Sequence, residues 1–177
     1  MEQNPYAPDF DDLPESFPVF PLGGVLLLPG GQLPLNIFER RYIDMVDHAM
    51  REGRIFGMIQ PISLPDNQEG SPPALHKTGC AGKITEFSET ADGRYLITLS
   101  GICRFDVKEE IDTDKDFRSI RADWAPYKGD LDGKTCLGLD RDHLHDLLKS
   151  YFSKEDLECD WTSVEKTSDN KLITCLS

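Results

Sequence analysis

The chain has 177 residues and a formal net charge of −13, from 19 Lys and Arg against 32 Asp and Glu, with 38% hydrophobic residues. That is enough apolar material for one cored domain with a small appendage, and too little length for two large domains. So acidic a chain repels phosphate backbones unless bases are locally concentrated, and no such concentration occurs, which argues against nucleic acid as a partner.

Residues 1–15 carry carboxylates but no Lys or Arg, so they read as an acidic, flexible tail and not as a secretory signal, which needs a basic start and an apolar run. Next comes the greasiest part of the chain, FPVFPLGGVLLLPGGQLPLNIFERRY at 17–42. Pro18, Pro21, Pro29 and Pro34 interrupt it too often for a membrane-spanning helix of about 20 residues. It reads as short strands at 16–20 and 25–28, with Leu33, Leu35 and Ile37 alternating as a third. The period then changes. Tyr42, Met45, Val46, Ala49 and Met50 fall on one face of a helix, for which Asn36 with Glu39 resembles a capping pair, Glu39 itself is an alternative cap, and Gly53 supplies the stop.

Residues 55–59 read as a buried strand and 60–77 as a long, proline-punctuated polar loop. A β-meander pattern follows: 82–89 and 94–100 flank the turn residues Asp92 and Gly93, and Tyr95, Ile97 and Leu99 share a face. Cys103, Phe105 and Val107 alternate with charged residues, as do Ile120, Ala122 and Trp124, giving half-buried antiparallel strands. Beyond Pro126 the stretch 127–140 reads as a linker. A second helical stripe then runs through Leu144, Leu147, Leu148, Tyr151 and Phe152, with Asp140 as its cap. Ser153 with Asp156 is read as a second helix start, and Ser168 as a third leading into Leu172, Ile173 and Leu176; that last pattern reaches Ser177 without a stop signal, so the natural chain is expected to continue.

Chemical motifs are near misses. GDLDGKT at 129–135 is one residue short of a phosphate-cradling loop and puts two aspartates where phosphates would lie. Asp112, Asp114 and Asp116 imitate a calcium loop, but Phe117 stands where the turn needs Gly, and Asp123 where a bidentate Glu belongs. His143 and His145 are two apart, so a helix points them in different directions. Without CxxC, HExxH or G-x-S-x-G, no catalytic residue, metal or cofactor is expected. The five cysteines are odd in number and widely spaced, which suits reduced thiols in a cytoplasmic protein better than a disulfide framework, and Cys103 is expected to face a core.

Taken in order, FPVFPL at 17–22, LPG at 28–30, LPLNIFERRY at 33–42, GM at 57–58, DGR at 92–94 and LSGICRF at 99–105 resemble the Lon protease N-terminal domain family. The resemblance implies an α+β fold: a PUA-like β-barrel of mostly antiparallel short strands with one amphipathic helix over residues 16–126, then the linker and a small helical subdomain over 141–177. It is most similar to a standalone bacterial form of the domain, without ATPase or peptidase modules. Arg40 departs from the family pattern, where many relatives have Pro after the motif glutamate, and so fixes the helix start less sharply. The implied function is a non-catalytic recognition module for unfolded or damaged polypeptides, with a separate ATPase or protease as a further partner. A PUA-like small-molecule or RNA-binding domain is the alternative. Pro21, Leu22, Phe38, Glu39, Arg41 and Tyr42 are the candidate binding surface; taken alone, Phe38, Glu39, Arg41 and Tyr42 favour a structural reading, with Glu39 at the helix start, Arg41 paired locally, and Phe38 and Tyr42 in the core.

Overall fold

The computed structural model describes residues 8–62, 72–131, 140–155, 157–167 and 172. They belong to two compact units, Met1–Gly133 and Lys134–Ser177.

In the first unit the strands are β1 (Ser16–Pro21), β2 (Gln32–Ile37), β3 (Ile55–Ile59), β4 (Thr78–Glu89), β5 (Tyr95–Ile111) and β6 (Arg118–Asp123), with helix α1 (Arg40–Arg51) between β2 and β3. The sheet order is β2-β5-β4-β3-β1-β6, and β5 also pairs with β6. The ring β1-β3-β4-β5-β6 therefore closes into a barrel, with β1–β3 parallel and its other ladders antiparallel. Closure depends on the length of β5. Its first six residues pair with β2, and Asp106 to Ile111 pair with β6. The sequence reading divides this strand in two at Gly101; the ladder runs through.

Two apolar clusters explain why β1 and β3 read as unbroken hydrophobic runs. Inside the ring, Phe17, Phe105 and Trp124 form a triad, with ring centroids 5.1, 5.2 and 5.8 Å apart, among Val19, Ile55, Ala81, Cys103 and Ile120. On the outer face, α1 lays Tyr42, Ile43, Met45, Val46 and Ala49 against Phe20, Phe56, Met58, Ile84 and Leu99. A strand covered on both sides loses its polar alternation, as β3 does with all five residues buried. Each large side chain so buried contributes ~1.5–3 kcal/mol. Gly57 and Gly79 make the triad possible: a Cβ at either would stand 2.8 or 2.6 Å from the Phe105 ring.

The expected strand at 25–28 is not one. Gln60 reaches across to clamp this stretch, accepting from Gly24 N–H at 3.2 Å and donating to the Val25 carbonyl. Downstream, Gly101 exchanges backbone bonds with Gly30 and Gly31. Leu27 is buried over Gly82 and Gly101. Side-chain and single backbone contacts thus replace a ladder. Helix α1 is capped by Glu39, whose side chain makes no capping bond, while Asn36 sits in β2. At the far end Gly53 takes a φ of +86°, the left-handed stop the sequence predicts.

Residues 125–131, the last five of which fall in the stretch read as linker, include a 3-10 turn over Ala125–Asp130 fastened to β5. Arg104 donates to Asp130 through its backbone N–H and two guanidinium nitrogens at 2.7–3.0 Å. Asp106 accepts from Thr78 Oγ1 at 2.7 Å and Tyr127 OH at 2.9 Å, and pairs with Lys77 at 2.8 Å.

The second unit contains α2 (Arg141–Lys154) and α3 (Trp161–Lys166). Asp140 caps α2 as expected, accepting from His143 N–H. The next helix begins at Asp160, not at Ser153, which lies inside α2. The Asp160 carboxylate takes Ser163 Oγ and the N–H groups of Thr162 and Ser163, which hold its pKa below the usual range. The Asp156 and Ser168 starts, Ile173 and Leu176, the second half of GDLDGKT, Cys136 and Cys175 lie outside the described residues.

Candidate functional site

The residues singled out in the sequence divide between core and surface. Pro21 ends β1 opposite Ile59, and Leu22 N–H donates to the Ile59 carbonyl at 3.1 Å. Tyr42 is buried with its ring 4.2 Å from Phe20, and burial raises its hydroxyl pKa. Arg41 lies over the Tyr42 ring at 4.5 Å and pairs with Glu39 at 2.9 Å, so Glu39, Arg41, Tyr42 and Phe20 form one stack leading from solvent into the core. Phe38 is not core: it is 67% exposed at the junction of β2 and α1.

Next to that junction lies a feature that no sequence motif marks. Beyond the closed ring, β2, the first half of β5 and the end of β4 form a three-stranded arm. Its rungs are Asn36–Leu96–Ser88 and Pro34–Thr98–Glu86 on one face, and Leu35–Ile97–Phe87 on the other. Side chains opposite one another in a ladder share a face, so Ile97 turns toward α1 and Leu96 away from it. Leu96 is 44% exposed and Phe87 42% exposed, the latter packed edge-on against Tyr95 at 4.8 Å. A shallow hollow of ≈ 450 Å³ is lined by Pro34, Asn36, Glu86, Leu96 and Thr98 among others. Thr98 Oγ1 donates to Glu86 Oε2 at 2.7 Å, which orients the one charged group in that lining. The sequence signal was available: Leu96 is apolar on the face that alternation assigns to solvent.

The second unit presents its own apolar surface. No residue of α2 is buried, and Leu147 and Tyr151 are 54% and 57% exposed. Phe152 and His145 pack edge-on against Trp161, with centroids 5.7 and 5.1 Å away.

Among the described residues no group of three or more His, Cys, Asp or Glu side chains could hold a metal ion. Cys103 faces the barrel interior, where burial pushes its thiol up to about 12, and burial drives Cys80 higher still. Such thiols are protonated at neutral pH and make poor nucleophiles. His48 sits beside Lys115, whose ammonium is 3.1 Å from its Nδ1; burial and that charge lower its pKa. Among the described residues no helix is long and apolar enough to cross a membrane.

Comparison with known proteins identifies a family. The family model of the ATP-dependent protease La (LON) substrate-binding domain matches residues 16–171. A Lon protease of Flavobacterium johnsoniae is 29% identical over 101 residues, which are 57% of this chain and 12% of that protein. One from Desulfosudis oleivorans is 30% identical over 104 residues, 59% of this chain and 13% of the relative. The chain thus spans about an eighth of the length of these relatives. Among solved structures, a Lon N-terminal domain protein from Xanthomonas campestris is 32% identical, with a TM-score of 0.48 over 62% of this chain and 59% of that one.

Proposed function

We infer function from one premise: this chain belongs to the LON substrate-binding domain family. On that premise it is a protein-recognition module. It takes hold of unfolded or damaged polypeptides through exposed apolar segments, and it breaks no bond itself. Family membership carries the reading. The exposed Phe38, Phe87 and Leu96 support it, since a surface that grips unfolded chains needs uncovered apolar side chains near main-chain groups able to pair. Phe38, Glu39 and Arg41, with Tyr42 as their buried anchor, form part of that surface, together with Pro21 and Leu22. Affinity comes from apolar burial, and the captured segment passes to an ATPase-driven protease as one step of cytoplasmic protein quality control.

The test is a fluorescence titration with a reduced, alkylated polypeptide that cannot refold. Saturable binding is expected, with folded forms of the same polypeptide failing to compete. Structured RNA should not compete either, because a net charge of −13 repels its backbone. Absence of saturable binding at every salt concentration tried would remove the reading.

A further inference from the structure

The main chain of β2 offers more than general stickiness. Gly101 of β5 accepts from Gly30 N–H at 2.9 Å and donates to the Gly31 carbonyl at 2.8 Å, so both of its backbone groups point toward the segment that leads into β2. Backbone groups alternate sides along a strand, so Leu99, Ile97 and Tyr95 point the same way and bond the residues opposite them, Leu33, Leu35 and Ile37. The intervening residues Gln32, Pro34 and Asn36 then turn their N–H and C=O groups away from β5. Two further observations agree. The Thr98 carbonyl, opposite Pro34, is occupied from the β4 side by Thr85 Oγ1 at 3.2 Å. Proline, with no N–H, sits where no bond to β5 is lost. Among the described residues β2 pairs with β5 alone, so its outer edge is open.

Open edges are normally blunted by charge, brevity or a bulge. This one, QLPLNI, has no charged residue and no bulge in its ladder; Pro34 is its single guard. Gln32, Pro34 and Asn36 are all exposed. The edge offers three acceptors and two donors, the Pro34 donor being absent. That pattern fits an extended polypeptide whose residue opposite Pro34 gives a hydrogen bond and receives none.

Resting on the reading of polypeptide recognition, we propose that the free edge of β2 receives an extended client segment as an added strand, in a register set by Pro34, with an apolar or basic side chain laid over Leu96. The charge preference follows from the hollow, where Glu86 is the only charged lining residue. An acidic segment meets repulsion on an already acidic chain; a lysine-bearing one does not.

The probe is a fluorescent ten-residue peptide of alternating Val and Thr carrying two Lys, compared with its Lys→Glu counterpart and with versions N-methylated at every second residue in each of the two phases. The wild-type protein should bind the Lys peptide more tightly than the Glu peptide. Methylation in one phase should abolish binding, and in the other leave it within twofold, because a strand lends only alternate N–H groups to a neighbour. Asn36→Pro removes one outward donor, a net loss of about 2–10-fold in affinity. Asn36→Ala keeps that donor and should lose less affinity than Asn36→Pro. Should Asn36→Pro fail to fold, the methylation series decides alone. Equal loss from both methylation phases, or from neither, overturns strand addition and leaves polypeptide recognition standing. Binding of the Glu peptide as tight as that of the Lys peptide overturns the charge preference. Failure of wild-type protein to bind any unfolded polypeptide removes both.

Discussion

Replacing Gly101 with alanine should be among the most damaging single-carbon changes in this fold. A Cβ there would stand 2.0 Å from the Leu28 carbonyl oxygen and 2.9 Å from its carbon. Carbon–oxygen contacts settle at about 3.3–3.6 Å, so the Leu28 backbone must retreat by more than about 1 Å. Two backbone hydrogen bonds between Gly101 and residues 30–31 would break, at ~1 kcal/mol each. Leu27, now 5% exposed, would lift from its saddle, at ~1.5–3 kcal/mol. The sum is about 3.5–5 kcal/mol, a large share of the roughly 5–15 kcal/mol that holds a typical domain together. Urea unfolding followed by fluorescence of the buried Trp124 measures it, with Gly93→Ala as the control. Gly93 has a φ of +78° and open space around it, so only backbone strain of about 1–2 kcal/mol applies there. A Gly101→Ala loss below about 1 kcal/mol at unchanged m-value would refute the reasoning that the crossover is wedged against β5.

Three other outcomes are expected. Tyr42→Ala should cost about 3–5 kcal/mol of stability, whereas Phe38→Ala should stay within about 0.5 kcal/mol, and thermal melts of the two variants separate the buried anchor from the exposed side chain beside it. The Asp106 carboxyl is held below its usual range, first by the hydrogen bond from Lys77 and then by Thr78. A depressed folded-state pKa stabilises above the unfolded value of about 3.9 and is lost as pH falls through the folded one, so Asp106→Asn should flatten the decline of the urea midpoint below about pH 4. Alkylation at pH 8 followed by peptide mass spectrometry should label Cys159 in the folded protein, but Cys80 and Cys103 only after unfolding; a Cys103 thiol at about 12 is roughly one part in ten thousand thiolate at that pH.

Periodicity told most where a single face is buried. The stripe of α1, the alternation of Leu33, Leu35 and Ile37, and the rows on β5 and β6 are all found where expected, because burial on one side imposes a period that one sequence can display. Residues 25–28 look like strand by composition, yet their partners are the Gln60 side chain and the glycine at 101, which no local pattern encodes. The union of two apparent strands into β5 was also hidden, since Gly101 reads as a break until Leu28 is seen above it. For the candidate site, the order of motifs led to the Glu39–Arg41–Tyr42 stack. The open edge of β2 did not emerge from it, because an edge is defined by the neighbour a strand lacks.

The way the ring is sealed has a bearing on synthesis. β1 leads the chain, but one of its two neighbours is β6, whose last residue is Asp123. A ribosome adding roughly 5–20 residues per second needs about 5–20 s between finishing the first strand and finishing the one that seals it. Throughout that interval Phe17 and Val19 have no Ile120 or Trp124 to cover them. The nascent protein is therefore, for several seconds, the very kind of greasy, half-made polypeptide that its finished form is proposed to catch.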